Sequence, residues 1–308
     1  MKLSLVVPCY NEAETVAAFH QAVTSAFDHE IFEYEVVYVD DGSKDATLHN
    51  LKRIYQDAGC RVKIISFSRN FGKEAALYAG LQHAEGDYIS FIDADLQQRP
   101  ETVLDMVRIL DEQPQTDVVA AYQDRRSEGK LLAFFKKAFY KLINRLSDIN
   151  LKSDASDFRT FRRSVAESIL AMGEYHRFSK GIFAWVGYET CYIPYVASER
   201  VAGNSKWSFF KLLNYAVEGI IGYSTKPLRI ATFLGGFTSC LSMIYLIVVV
   251  LQKLIAGIDI PGYATIIVLI LFLGGMQLFC IGIIGEYIGK IFEQSKDRPI
   301  YITKEILK

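Results

Sequence analysis

Two aspartates one residue apart, Asp93-Ala94-Asp95, close an apolar run from Tyr88 to Ile92. On an extended chain residues i and i+2 point the same way, so both carboxylates can face one ligand. Hard oxygen donors of this kind suit Mg2+ or Mn2+, ions that bridge to phosphate oxygens. Gln97, two positions on, adds an amide oxygen. The bare D-x-D pattern arises often by chance; its place at the end of an apolar run gives it weight. Two more polar stretches also follow apolar ones: Pro8-Cys9-Tyr10-Asn11-Glu12 after Leu3 to Val7, and Asp40-Asp41-Gly42-Ser43 after Tyr34 to Val39. A lone acid at such a place is ordinarily a helix cap or a turn former, and Asp41 to Asp45 can be read that way. Acids at successive strand ends are harder to dismiss. Further on lie Asp157-Phe158-Arg159 and the segment Glu199 to Lys206. There Arg200, Ser205 and Lys206 would make a phosphate clamp on a Gly-containing loop; the bland alternative is a solvated charged loop.

The elements that must position these residues are legible in residues 1–124. Leu3–Val7, Tyr34–Val39, Val62–Phe67, Tyr88–Ile92 and Val118–Ala121 read as strands with amphipathic stretches between them. That alternation predicts an α/β domain with a largely parallel sheet. In such sheets ligands bind beyond the carboxyl ends of the strands, where the acids stand. No G-x-G-x-x-G follows the first strand and no G-x-x-x-x-G-K-[ST] occurs, which disfavours a dinucleotide fold and removes a P-loop. A nucleotide held by acids, a metal and strand-end loops is left.

The chain of 308 residues carries a net charge of −1, which hides a gradient. Residues 1–124 sum to −11, residues 125–225 to +7 and residues 226–308 to +3. This balance argues against a nucleic-acid binder. Five scattered cysteines fit neither a disulfide framework nor a zinc ribbon. Leu3 to Val7 is too short for a secretory signal. Two windows without charge, Ile230–Leu251 and Tyr263–Ile284, are each long enough to cross a bilayer at ~1.5 Å per residue. Lys226 and Arg229 precede the first, and Lys290, Lys296, Arg298, Lys304 and Lys308 follow the second. The positive-inside rule then puts both chain ends in the cytoplasm. Residues 129–146 form a basic amphipathic stripe and residues 207–223 an apolar, aromatic one; both are expected as helices in the membrane interface. The expected domains are 1–225, a two-helix anchor over 226–290, and a tail over 291–308.

These motifs occur in the order found in a known family. Asp40 to Ser43, Ser68-Arg69-Asn70-Phe71-Gly72-Lys73-Glu74-Ala75-Ala76, Asp93 to Gln97, Asp157 to Arg159, Arg200 to Lys206 and Gly285-Glu286-Tyr287-Ile288-Gly289 carry the likeness. The chain resembles the polyprenyl-phosphate glycosyltransferases of glycosyltransferase family 2, which include dolichol-phosphate mannose synthases and bacterial undecaprenyl-phosphate glucosyltransferases. The resemblance covers essentially the whole chain. It implies a GT-A fold (Rossmann-like) and inverting transfer of a sugar from a nucleotide sugar to a polyprenyl phosphate lipid at the membrane. It implies that Pro8, Tyr10, Glu12, Asp41 and Asp93 line the nucleotide-sugar pocket, with Lys73 on the donor side. By the same likeness Asp93, Asp95 and Gln97 hold Mg2+ or Mn2+, and Asp157 stands where the family places its base. Arg200, Ser205, Lys206 and Arg125 would hold the acceptor phosphate, and a tetramer is the implied assembly.

Two departures stand out. Gln98-Arg99-Pro100-Glu101 replaces the family's common Asp-Pro-Pro-Glu, and Tyr122 fills the first place of its Arg-x-x-Arg, leaving Arg125 with Arg126 beside it. A processive polysaccharide synthase is disfavoured, because no Arg-Trp pair occurs and two spans cannot form a polymer channel. A non-catalytic, membrane-anchored nucleotide binder would be expected to lack metal ligands or a base candidate. UDP-glucose is the first expectation for the donor, with UDP-N-acetylhexosamine or GDP-mannose as alternatives.

Overall fold

The computed structural model describes residues 1–123, 144–145, 155–196, 219, 221–256 and 262–308. Arg125, Arg126, Arg200, Ser205 and Lys206 lie outside the described residues, as do the two amphipathic segments almost entirely.

The five expected strands form as β1 (Lys2–Cys9), β2 (Glu33–Asp40), β3 (Val62–Phe67), β4 (Tyr88–Phe91) and β5 (Val118–Gln123). Between them run α1 (Val16–Phe27), α2 (Thr47–Ala58), α3 (Lys73–His83) and α4 (Pro100–Glu112). Beyond β5 come β6 (Ala155–Arg162), α5 (Arg163–Leu170), α6 (Ser179–Val186) and β7 (Thr190–Tyr195). Two long helices, α7 (Lys226–Ala256) and α8 (Tyr263–Ser295), precede a last strand, β8 (Thr303–Leu307).

All of β1 to β8 join one sheet in the order β7-β5-β6-β4-β1-β2-β3-β8. The central strands β3-β2-β1-β4 are mutually parallel, whereas β6 and β8 run antiparallel to their neighbours. The parallel centre explains the continuous apolar runs, because such strands are buried on both faces. Leu3, Leu5 and Val7 pack towards α1, α2 and α4, while Val6 faces α3 and α5 with Leu77, Leu81 and Val165. Alternate residues on β1 thus serve two cores.

Residues 291–308, expected as a tail, hold a strand that the sequence pattern does not predict. Residues Thr303–Leu307 return to the sheet as its edge strand, pairing antiparallel with β3. Thr303, Glu305 and Leu307 are half-buried while Lys304 and Ile306 are exposed, a pattern too polar to read as a strand before its partner is known. The second helix also outlasts its apolar window, running ten or so residues past Ile284 to Ser295. Lys226–Gln252 and Thr265–Ser295 are long and apolar enough to cross a membrane.

Candidate active site

The carboxyl ends of β1, β2 and β4 lie side by side, and hydrogen bonds join the loops that follow β1 and β2. Asn11, in the left-handed region at φ 56°, donates its N–H to Ser43 Oγ at 3.0 Å and accepts from Lys44 N–H at 2.9 Å. Glu12 N–H donates to Thr47 Oγ1 at 2.8 Å, and Ala13 N–H to Asp45 at 3.2 Å. Asp45 therefore serves the turn, as the plain reading of a strand-end acid expects. Tyr10 is 43% exposed on this rim, its ring open to solvent.

Asp41 is buried, and its two carboxylate oxygens accept from the backbone N–H groups of Phe71 and Gly72 at 2.6 and 2.9 Å. Burial raises its carboxyl above the ordinary range, against the pull of those two amides. Its neighbour Asp40 accepts from Ser66 Oγ at 2.9 Å and from Ser43 N–H at 3.2 Å. The pair thus ties the β2 loop to the β3 loop. Gly42 makes the approach possible: at φ 65°, a Cβ there would fall 2.4 Å from the carbonyl carbon of Arg69. No larger residue fits between the two backbones.

The β3 loop delivers Lys73 to the first turn of α3. Its ammonium lies 2.6 Å from Asp93 Oδ1 and 3.7 Å from Asp157 Oδ2. Asp93 ends the β4 run and Asp157 stands on β6, which pairs antiparallel with β4. Three residues far apart in sequence meet at one point. Burial would lower the Lys73 ammonium, but Asp93 and Asp157 outweigh it and hold it above the ordinary range. Burial would raise Asp157, but Lys73, with Lys180 and Arg159 behind it, holds this carboxyl below the ordinary range. Asp157 is therefore a carboxylate at neutral pH.

The turn after β4 bends at Leu96, whose φ of 61° costs a non-glycine residue about 1–2 kcal/mol. The bend lets Asp95 Oδ1 accept from Gln97 N–H at 3.1 Å. It also returns Gln98 to Asp93: Gln98 Oε1 accepts the Asp93 N–H at 2.9 Å, and Gln98 Nε2 donates to Asp93 Oδ2 at 3.1 Å. Gln98, buried and unlike the residue common in the resembled family, is the brace of the D-x-D turn. In the sequence it shows only as a departure from the family's common Asp-Pro-Pro-Glu. Glu74, in the sequence only one residue of the Ser68–Ala76 run, accepts from the N–H and hydroxyl of Ser179 and so fastens α6 to α3 beside Lys73.

The donor chemistry here fits a hard divalent ion. Burial raises the Glu12 carboxyl, and the charges of Asp95 and Asp93 raise it further despite the Thr15 hydroxyl, so the three acids share one field. Among the described residues no cluster of three or more His, Cys, Asp or Glu side chains is placed to hold a metal. A pair of carboxylates completed by substrate phosphates is the usual Mg2+ arrangement.

This geometry can be set beside known proteins. Residues 4–170 match the family described as "Glycosyl transferase family 2". The chain belongs to that family. Residues 226–291 match a second described unit, the "GtrB C-terminal hairpin". The chain is 43% identical over 305 residues to "Bactoprenol glucosyl transferase" of Shigella phage SfV, covering 99% of this chain and 98% of that one. It is 42% identical over 309 residues to "Prophage bactoprenol glucosyl transferase homolog" of Escherichia coli (strain K12), covering both chains in full. Among solved structures, glucosyl-3-phosphoglycerate synthase from Mycobacterium tuberculosis aligns at 18% identity and TM-score 0.49, over 71% of this chain and 77% of that one. The protein is a glycosyltransferase of the GT-A fold carrying two helices apolar enough to span a membrane. Within this family 2 enzyme, Pro8, Tyr10, Glu12, Asp41, Lys73, Asp93, Asp95, Gln97 and Asp157 all sit at or beside the strand ends just described.

Proposed function

We propose that this glycosyltransferase moves one glucose from UDP-glucose to undecaprenyl phosphate, inverting the anomeric carbon. The reaction would take place at the cytoplasmic face of a bacterial inner membrane, with both chain ends on that side. The reading is carried by the end-to-end likeness to bactoprenol glucosyl transferases, hairpin included.

The chemistry suits the residues. The acceptor is a phosphate monoester whose second pKa is near ~6, so it is largely dianionic at pH 7 and needs little help from a base. A phosphate oxygen attacks the anomeric carbon as the bond to the UDP oxygen breaks on the opposite side, which inverts that centre. Asp157, kept ionised by Lys73, then serves better to support positive charge at the sugar and to orient the acceptor than to remove a proton. Lys73 balances two carboxylates and keeps them from repelling the incoming phosphate. Asp93 and Asp95, with Gln97, would hold Mg2+ or Mn2+, which when bound neutralises charge on the departing diphosphate. Tyr10 would offer its exposed ring to the base.

Full-length protein in detergent, given radiolabelled UDP-glucose, UDP-N-acetylglucosamine or GDP-mannose together with undecaprenyl phosphate, tests this directly. Label is expected in the organic phase from UDP-glucose. Label from GDP-mannose alone would overturn the donor, and nucleotide binding without any lipid product would overturn the reaction.

A further inference from the structure

The returning strand β8 does more than cover an edge. Just before it, the Ile302 carbonyl accepts the Ser68 N–H at 2.9 Å, at the first residue of the loop that leads to Lys73. Tyr301 stacks on Phe67 with ring centroids 4.8 Å apart and an interplanar angle of 21°. Phe67 in turn meets Phe71 edge-on at 5.7 Å. The N–H of Phe71 is one of the two that Asp41 accepts, and the next-but-one residue is Lys73. The Tyr301 hydroxyl donates to Gln82 at 2.7 Å, on the helix that Lys73 begins. Farther along, Glu305 pairs with Lys52 at 2.6 Å and Tyr55 donates to the Lys308 carbonyl, so the strand is fastened at its far end too.

The loop over residues 68–72 has few anchors of its own. Gly72 lies at φ 98° with open space where a Cβ would go, and the Arg69 guanidinium rests 4.1 Å over the Phe71 ring. Its fixed points are Asp41 on one side and, on the other, the Ser68–Ile302 backbone bond and the Tyr301–Phe67–Phe71 aromatic row. The row is anchored in a segment that follows α8 after the short link 296–300. A segment downstream of both apolar helices thus backs the loop that carries a site residue.

We propose that the C-terminal segment is a strap that sets the donor-side loop, with Tyr301 as its positioning residue. The proposal rests on the reading of Lys73 and Asp41 as donor-side groups. Tyr301 touches no substrate; it acts through Phe67 and Phe71. Removing its ring should loosen the loop and weaken nucleotide-sugar binding.

The test uses full-length protein in lipid nanodiscs and the variants Tyr301→Ala, Tyr301→Phe and Glu305→Gln. An aromatic pair of this kind corresponds to about a 3- to 10-fold effect. Tyr301→Ala is expected to raise KM for the nucleotide sugar by that factor. Amide exchange in the 68–72 segment should quicken by a similar factor. Tyr301→Phe keeps the ring and should restore both; Glu305→Gln cuts only the far fastening and should change neither. If Tyr301→Ala fails to fold, Tyr301→Leu keeps the bulk without the stack and carries the same expectation. Unchanged exchange and unchanged donor KM in the ring-deleted variant would overturn the strap. So would a phenylalanine variant as impaired as alanine. Exchange is read without turnover, so an inactive wild type would refute the transfer reading and leave the strap decided on its own.

Discussion

Removing the ammonium between Asp93 and Asp157 gives the sharpest test of the site. At the observed 3.7 Å, opposite unit charges attract by about 1 kcal/mol in water and about 4–5 kcal/mol at an effective dielectric of 20. The Lys73 side chain is 42% exposed and that of Asp157 27%, so solvent screens much of this attraction. A coupling of about 1–2 kcal/mol remains, or a factor of about 5–30 in rate. The assay is a double-mutant cycle on kcat/KM for sugar transfer, with Lys73→Met, Asp157→Asn and the double variant. Each single variant is expected to be slower than wild type. The double variant should be faster than the product of the two losses by that factor, because the second removal no longer breaks the pair. Losses that multiply, leaving a coupling below about 0.5 kcal/mol, would show that Lys73 does not act on Asp157 and would refute the shared-counter-ion account.

The same pair has a pH signature. Lys73 holds the Asp157 carboxyl below the ordinary range, so the ionised form survives as pH falls and is lost only on passing through that lowered value. In Lys73→Met the opposing influence of burial is left less answered, and the Asp157 carboxyl should titrate at higher pH, read directly by carboxyl-carbon NMR because the acceptor phosphate sets the acid limb of the activity profile. A carboxyl titration that stays in place, or moves down, contradicts the electrostatic argument.

Other consequences are as direct. Gln98→Leu leaves the Asp93 N–H without its acceptor and the carboxylate without a brace; it should cost about 1–3 kcal/mol of stability in thermal unfolding and lower kcat/KM as well. Gly42→Ala drives a methyl into the Arg69 backbone and should weaken UDP binding more than 10-fold, on the order of the ~1.4 kcal/mol per decade such a clash exceeds. Gly72→Ala meets only its strained φ and should be milder; calorimetry with UDP would separate the two. A chelator is expected to abolish transfer, with Mg2+ or Mn2+ restoring it, and undiminished activity after exhaustive chelation would remove the metal from the mechanism.

The legible parts of this protein were those written locally. The five early strands are apolar runs buried on two faces, and periodicity alone finds them. By contrast β6 carries Asp157, Arg159 and Arg162, and a polar stretch of that kind reads as loop. Arg159 is buried all the same, its guanidinium 4.1 Å over the Phe183 ring, and Phe158 and Phe161 supply the core contacts between the charges. β8 was hidden because an edge strand needs little burial. At the site the residue types were visible, and their partners were not. Lys73 and Asp93 stand 20 positions apart and Asp157 is on another strand; only β4–β6 pairing and the β3 loop bring them together. That Asp41 spends both oxygens on a neighbouring loop could not be read from a strand-end acid.

The two apolar helices gain a meaning from this arrangement that their length does not supply. β3 precedes both and β8 follows both, yet the two strands are paired. The chain must therefore cross any membrane an even number of times between them, so a hairpin satisfies the sheet where a single span would tear it. The end of α8 is also joined to the catalytic domain directly: Gln294 bonds the Tyr175 N–H at 2.8 Å and the Gly173 carbonyl at 3.0 Å, and Glu293 pairs with His176. Tyr287, about two turns earlier, donates to the Ser224 carbonyl at 2.6 Å. From that joint the chain runs to Ser179, which Glu74 holds next to Lys73. The anchor thus reaches Lys73 along two routes, through Glu74 and through Tyr301. On the proposed reading, with both helices spanning the membrane, such a frame would fix the height and tilt of the site over the bilayer. For an acceptor phosphate confined to the lipid surface, that placement replaces a three-dimensional search with a preset approach, the kind of orientation from which catalysis draws much of its rate.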